Sequence, residues 1–98
     1  MDKPEEKLLE DIKNISNETY DGLFKYSIQI KKCREILKEY KNNGGTQRKA
    51  YNTILELYKL YDEKNMENQY NFTGDILDII VGYTGNKEML IWEEYMKT

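Results

Sequence analysis

The chain has 98 residues, of which 39% are apolar and 34% are charged, with a formal net charge of −3. This balance is too apolar for a disordered chain and too polar for a membrane protein, and the length is typical of one domain with a single core. With no histidine and one cysteine, the chain lacks an imidazole base, a histidine metal ligand and an internal disulfide. We therefore expect one domain over residues 1–98 that is not an enzyme and needs no cofactor.

The N-terminal residues predict a cytoplasmic protein. Residues 1–9 are mostly charged, with Leu8 and Leu9 as their aliphatic side chains, and do not resemble a secretory signal. No apolar run approaches the roughly 20 residues that a membrane-spanning helix needs. The abundant Lys, Asn, Ile, Tyr and Glu have A- and T-rich codons, which indicates a bacterial or phage genome.

Two helices are predicted in the first part of the chain. Helix one spans residues 3–15, with Asp2 as its N-cap, and a short break at Ser16 or Asn17 supplies the cap of the next helix. Helix two spans residues 18–41, and its apolar residues recur every three or four positions, which places them on one face. This apolar seam consists of Leu23, Tyr26, Ile30, Cys33, Leu37 and Tyr40.

A tight turn joins helix two to a third helix. Residues 42–45 read Asn-Asn-Gly-Gly, and glycine readily adopts the left-handed conformation that follows a helix C-terminus. Thr46 is the expected N-cap of helix three, whose apolar stripe is broad enough to contact two neighbours. The stripe consists of Ala50, Tyr51, Ile54, Leu55, Leu57, Tyr58 and Tyr61. Helices two and three should form a long central antiparallel hairpin.

The last third of the chain is less regular. Residues 62–71 are polar and predict a loop, after which Thr73 is the expected N-cap of a segment over residues 75–81. This segment fits a buried helix or a buried strand, and helix is favoured because no partner strand is visible. A final helix is expected to follow, capped by Thr84 or Asn86. The predicted fold is an all-α, up-and-down bundle of four to five helices.

Three patterns invite a chemical interpretation, and a structural explanation is favoured for each. Cys33 lies on the apolar seam, where a buried thiol is inert. Asp75 and Asp78 are spaced like paired carboxylates, but in a first helical turn they only complement the helix dipole. Gly44 and Gly45 precede a basic helix start, but the longer glycine pattern of a phosphate loop is missing. We predict no catalytic residue and no metal ligand.

Basic residues are concentrated in the middle of the chain. Residues 22–50 contain eight Lys and Arg against two Glu, a net charge of +6, between acidic flanks. Four of these cations lie on one strip of helix two, and two more lie at the start of helix three. This basic strip consists of Lys31, Arg34, Lys38, Lys41, Arg48 and Lys49. It would suit an anion, an acidic partner or nucleic acid, or would be paired internally with the acidic helices.

Nine tyrosines and one tryptophan are the last unusual feature. Most of the tyrosines lie on helix stripes, where core packing explains them. Four aromatic residues lie in or beside the predicted loops and last helix, and these are candidates for a partner surface, since Tyr and Trp bury a large rigid area while keeping a polar group. They are Tyr70, Tyr83, Trp92 and Tyr95.

The favoured function is non-catalytic binding of a protein partner, as an inhibitor, an immunity protein or a phage antagonist. Two other classes stay open: a nucleic-acid-associated regulatory domain that uses the basic strip, and a helical bundle that binds a small ligand. A homo-oligomer is a further option, because the apolar residues of 76–81 and the last helix exceed what one small core is expected to absorb.

Overall fold

The computed structural model describes residues 3–18, 23–83 and 90–96, with residues 23 and 24 described by their backbone alone. Within these ranges the chain forms four α-helices and no strand. The helices are α1 (Lys3–Ser16), α2 (Leu23–Asn42), α3 (Gln47–Glu63) and α4 (Glu67–Val81). The predicted all-α class is confirmed, and the architecture is a small helical bundle. None of these four helices is long and apolar enough to cross a membrane.

The end of α1 is held by a polar cluster. Ser16 is fully buried and its hydroxyl lies within hydrogen-bond distance of the Tyr61 hydroxyl, which also reaches Asn17 Oδ1 at 3.2 Å. The prediction that Ser16 or Asn17 caps the second helix is wrong, because Ser16 is the last residue of α1 and residues 17 and 18 are not helical. Both side chains instead attach α1 to α3. The predicted cap at Asp2 lies outside the described residues.

The described side chains of the apolar seam, from Tyr26 to Tyr40, face the core, and the side chain of Leu23 lies outside the described residues. Cys33, Leu37 and Tyr40 are buried, and Tyr26 and Ile30 are partly buried against the same cluster. Among the other helices, α2 packs chiefly against α1. The three- and four-residue spacing therefore identifies the buried side of α2 correctly, since a helix in water is stabilised chiefly by packing its apolar stripe.

The turn between α2 and α3 has the predicted chemistry. Gly44 takes the left-handed conformation with φ of 95°, which an L-residue with a side chain rarely adopts. Thr46 is the N-cap of α3, and its side-chain oxygen accepts a hydrogen bond of 3.2 Å from the Lys49 N–H. Both predictions at this turn are confirmed.

The helices pair differently from the expected central hairpin. α3 and α4 make the most extensive contact, α1 packs against both α2 and α3, and α2 approaches α3 at few positions. The broad stripe of α3 explains this arrangement. Ile54 and Tyr61 are buried in the core, where Tyr61 meets the end of α1, while Tyr58 contacts α4.

The fourth helix begins earlier than predicted. It starts at Glu67, so the expected loop over residues 62–71 is reduced to a short turn in which Asn65 has a φ of 56°. Thr73 is not a cap, since it lies inside α4 and donates its hydroxyl to carbonyl oxygens of the preceding turn. The polar residues misled the prediction because Asn68 and Asn71 lie on the exposed side of α4. The choice between helix and strand for residues 75–81 is settled as helix, ended by Gly82 with a φ of 87°.

The described C-terminal residues are not helical. The expected caps Thr84 and Asn86 lie outside the described ranges, and residues 90–96 form an irregular segment that we call the C-terminal strap. Ile91 and Met96 are buried, and the Met96 N–H donates to the Val81 carbonyl at 2.9 Å. The prediction of a last helix is therefore wrong over residues 90–96, where the backbone is irregular and is held by contacts with other parts of the chain.

The apolar residues at the end of α4 are absorbed by the core of one chain. Each of them has a relative exposure of 9% or less. They are Ile76, Leu77, Ile79, Ile80 and Val81. These side chains therefore form no exposed patch that would favour a homo-oligomer, and the oligomeric state stays a prediction.

Candidate protein-binding groove

A shallow groove of about 290 Å³ runs along the contact between α3 and α4, with the C-terminal strap beside it. Tyr51, Leu55 and Tyr58 line it from α3, where their spacing places them on one side of the helix. Four tyrosines and one carboxylate give the groove its polar groups, and we call it the tyrosine groove. These residues are Tyr51, Tyr58, Tyr83, Tyr95 and Asp78.

A stacked tyrosine pair stands at this face of the molecule. The rings of Tyr58 on α3 and Tyr70 on α4 lie 4.3 Å apart at an interplanar angle of 21°, and their hydroxyls share a hydrogen bond of 2.7 Å. Gly74 makes room for the pair, because a Cβ at this position would lie 3.2 Å from Tyr58 Cε1. The hydrogen bond to Tyr70, followed by burial, raises the pKa of Tyr58 to about 12, so its phenol is neutral at physiological pH.

A second concavity, of about 320 Å³, contains the other member of the stacked pair, Tyr70. Two carboxylates, Asp62 and Glu67, line it together with the turn between α3 and α4. We call it the acidic cleft. Because Tyr58 lines the groove and Tyr70 lines the cleft, the stacked pair connects the two concavities.

Asp75 and Asp78 lie in the second half of α4, so the prediction that they sit in a first helical turn is wrong. Partial burial raises the pKa of Asp78 above its ordinary value. Burial, and then repulsion from Asp78, raises the pKa of Asp75, whose carboxylate accepts a hydrogen bond from the Tyr26 hydroxyl. Within the described part of the chain, no three Cys, Asp or Glu residues are placed to hold a metal ion.

The four aromatic candidates do not form one surface. Tyr83 and Tyr95 are 69% and 62% exposed and both line the tyrosine groove. Tyr70 lines the acidic cleft. Trp92 is partly buried against the core, with its ring edge-on to Tyr40 at a centroid distance of 6.4 Å. Trp92 therefore packs the strap, while the other three lie on the face shared by α3 and α4.

Some residues of the basic strip make contacts within the protein. Lys31, Arg48 and Lys49 are exposed, and Arg34 is half-buried. Lys38 is exposed and lies 3.4 Å from Glu35, a weak surface ion pair. The Lys41 ammonium donates a hydrogen bond of 2.9 Å to the Ile91 carbonyl oxygen and so holds the C-terminal strap.

Cys33 is fully buried on the α2 seam, as expected for a core thiol. Desolvation raises the pKa of this thiol to about 12, which keeps it protonated at neutral pH. Because the thiolate is the reactive form, this environment disfavours a nucleophilic role. The glycine pair at positions 44 and 45 is part of the turn that Thr46 caps.

Two groups of site residues were missed by sequence reasoning. Tyr51 and Tyr58 were assigned to the core stripe, although both are only half-buried and line the groove. Gln47 was overlooked, although its amide donates bonds of 2.8 Å to the carbonyls of Ile80 and Glu94 and joins α4 to the strap. The width of the apolar stripe on α3 could have identified these two tyrosines, because the outermost residues of a broad stripe lie at the edge of a helix contact and stay partly exposed.

Comparisons with known proteins add no assignment. No protein-family model matches the chain, and neither the curated proteins nor the solved structures give a significant match. The function of the groove therefore has to be inferred from its own geometry and chemistry.

Proposed function

We propose that this protein is a non-catalytic binding module and that a protein partner docks on the tyrosine groove. The observation that carries this proposal is the position of Tyr83 and Tyr95. They are the two most exposed large hydrophobic side chains among the described residues, and both flank the same groove. Tyrosine is enriched among the residues that dominate binding energy in protein interfaces.

The shape of the groove favours a partner's side chains over a small molecule. Its volume of about 290 Å³ lies at the lower limit of ligand pockets, which span about 300 to 1,000 Å³ and bury most of their ligand. The groove is open along its length, so a small ligand would remain largely exposed to water. A protein segment laid across it would cover Tyr83 and Tyr95 and continue onto the neighbouring surface.

The proposed biological role is that of a blocker: an inhibitor, an immunity protein or a phage antagonist acting in the cytoplasm. Such a role requires a stable surface and no reaction. The absence of histidine from the chain and the burial of Cys33 support a non-catalytic protein, since they remove the commonest nucleophile–base pairs.

The proposal is tested by affinity capture from the cells that produce the protein. The double variant Tyr83→Ser/Tyr95→Ser is compared with the wild type and with the control Ile28→Ser/Leu60→Ser. Ile28 and Leu60 are the other exposed large hydrophobic residues among those described, and they do not line the groove. A partner that is recovered with the wild type and the control and lost with the groove variant supports the proposal. Equal recovery by both variants overturns it.

Nucleic-acid binding through the basic strip is a second candidate, supported by the exposure of Lys31, Lys38 and the two cations at the start of α3. Lys41 is engaged with the Ile91 carbonyl, which shortens the strip. A gel shift at low and high salt tests this candidate, because phosphate contacts weaken steeply as salt rises. No shift at low salt removes it.

A further inference from the structure

The two concavities on the face shared by α3 and α4 have the same sign of charge. Asp78 lines the tyrosine groove, and Asp62 and Glu67 line the acidic cleft. No Lys or Arg is among the described residues that line either concavity. Two ion pairs lie elsewhere, between Lys7 and Asp11 on α1 and between Lys38 and Glu35 on α2. The described lining of the two concavities therefore carries three carboxylates and no cation.

The carboxylates lie beside exposed aromatic rings. Asp78 shares the groove with Tyr58, Tyr83 and Tyr95, and the stacked pair of Tyr58 and Tyr70 connects the groove to the acidic cleft. An aromatic face attracts a cation through its quadrupole, and a carboxylate nearby accepts the cation's hydrogen bonds. Both features select a guanidinium over an ammonium, because a guanidinium is planar, stacks on rings and donates two parallel hydrogen bonds.

We infer that the tyrosine groove takes a basic segment of a protein partner, with an arginine side chain lying against the tyrosine rings and hydrogen-bonded to Asp78. A second cationic side chain of the same segment reaches Asp62 and Glu67 in the acidic cleft. This inference rests on the proposed function and names the chemistry of the partner. Like-charge repulsion from three carboxylates disfavours acidic peptides and nucleic acid at this face.

A second copy of the chain is the main rival occupant, because α2 carries exposed lysines. The charge of the basic strip is complementary to the lining of this face, but four of its six cations are lysines, and of its two arginines Arg34 is half-buried and Arg48 is exposed. The rival predicts that the isolated protein associates with itself as its concentration rises, and that salt and Asp78→Asn both reduce the association. A separate basic partner predicts a monomer under the same conditions.

The test is an NMR titration of the full, ¹⁵N-labelled chain with three short peptides. The probes are a capped peptide of alternating arginine and serine and two matched peptides in which lysine or glutamate replaces arginine. We expect the arginine peptide to shift amide signals of α3, α4 and the strap, the lysine peptide to bind several-fold more weakly, and the glutamate peptide not to bind. Equal binding of the arginine and lysine peptides overturns the guanidinium assignment.

Matched variants locate the site. Asp78→Asn should weaken binding of the arginine peptide by about tenfold, as expected for loss of one charge-assisted contact. Glu56→Gln makes the same change in net charge at an exposed position of α3 outside both concavities and should change affinity less than about twofold. Tyr58→Phe keeps the ring and should retain binding, whereas Tyr58→Leu should lose it. Equal weakening by Asp78→Asn and Glu56→Gln overturns the proposed site.

This inference and the proposed function fail in different ways. If partner capture depends on Tyr83 and Tyr95 but the arginine peptide does not bind, the basic segment is overturned and the docking groove stands. If the peptide binds at Asp78 but capture is unaffected by the groove variant, the proposed function fails and the cationic site stands. If sedimentation shows that the protein self-associates and that Asp78→Asn abolishes this association, the face binds a second copy. That result overturns the inference of a separate basic partner.

Discussion

The hydroxyl of Tyr40 on α2 donates a hydrogen bond of 2.7 Å to the carboxylate of Glu5 on α1, and both side chains are buried. A buried carboxylate is costly unless its oxygens are hydrogen-bonded, so this contact fixes how the two helices pair. The same ring lies edge-on to Trp92 of the C-terminal strap. Tyr40 thus joins three parts of the chain that are far apart in sequence.

Tyr40→Phe should destabilise the protein by about 1 to 3 kcal/mol, because it leaves the buried Glu5 carboxylate without the phenol donor. Urea denaturation followed by circular dichroism measures the change in the free energy of unfolding. The double variant Glu5→Met/Tyr40→Phe serves as the control, since it removes donor and acceptor together. It should cost less than the sum of the two single variants. Additive costs would show that the bond contributes nothing of its own.

Gly45→Ala should destabilise the chain more than Gly44→Ala does. A Cβ on Gly45 would lie 2.3 Å from Tyr40 Cε2, and that ring is held in the core by Glu5 and Trp92. The overlap should cost about 1 to 3 kcal/mol. A Cβ on Gly44 meets no atom within 4 Å and strains only the backbone at a φ of 95°. Thermal unfolding of the two variants ranks them, and a lower melting temperature for Gly44→Ala would contradict this prediction.

The parts of the fold that sequence reasoning predicted correctly depend on local chemistry. The seam that includes Cys33 and Leu37 needed only helical periodicity, and the turn at Gly44 and Thr46 needed only backbone conformation and one capping oxygen. Each of these features is determined within a few residues along the chain. For the same reason the bounds of α1 were predicted to within one residue at its end.

The parts that were not predicted depend on contacts between distant residues. Polar composition suggested a loop where α4 begins, because it does not show that Asn68 and Asn71 lie on the exposed side of a helix. Periodicity placed Tyr58 on an apolar stripe but could not show that its neighbour, Gly74, leaves the ring half-exposed. Trp92 was predicted to lie on a partner surface, because its contact with Tyr40 joins residues that are far apart in the sequence and leaves no local pattern.

Gln47→Met should loosen the C-terminal strap without unfolding the bundle. The Gln47 amide donates to the Ile80 and Glu94 carbonyls at 2.8 Å each, and each hydrogen bond contributes about 0.5 to 1.5 kcal/mol. The Met96 N–H, which bonds to the Val81 carbonyl, should then exchange with solvent faster. Hydrogen exchange read by NMR measures this rate. Asn52→Met, at an exposed position of the same helix, is the control and should leave it unchanged.

Asp78→Asn should stabilise the protein at neutral pH while it weakens binding. Partial burial raises the pKa of this carboxyl in the folded state above its unfolded value of 3.8. The protonated carboxyl therefore favours the folded state, and this contribution is fully present below pH 3.8 and is lost as pH rises through the folded pKa. At pH 7 the carboxyl is charged and disfavours folding. The gain should be less than about 1 kcal/mol, because the residue is exposed to solvent.

Urea denaturation of Asp78→Asn and the wild type at neutral and acidic pH checks this prediction. The stability advantage should disappear as the pH falls and the wild-type carboxyl becomes protonated. Glu56→Gln, with the same charge change on α3, should show no comparable advantage. Asp75 and Tyr58 also face this region, so both remain unchanged in every sample. If Asp78→Asn is less stable than the wild type at neutral pH, the carboxylate stabilises the fold, and its placement in the groove needs no binding partner to explain it.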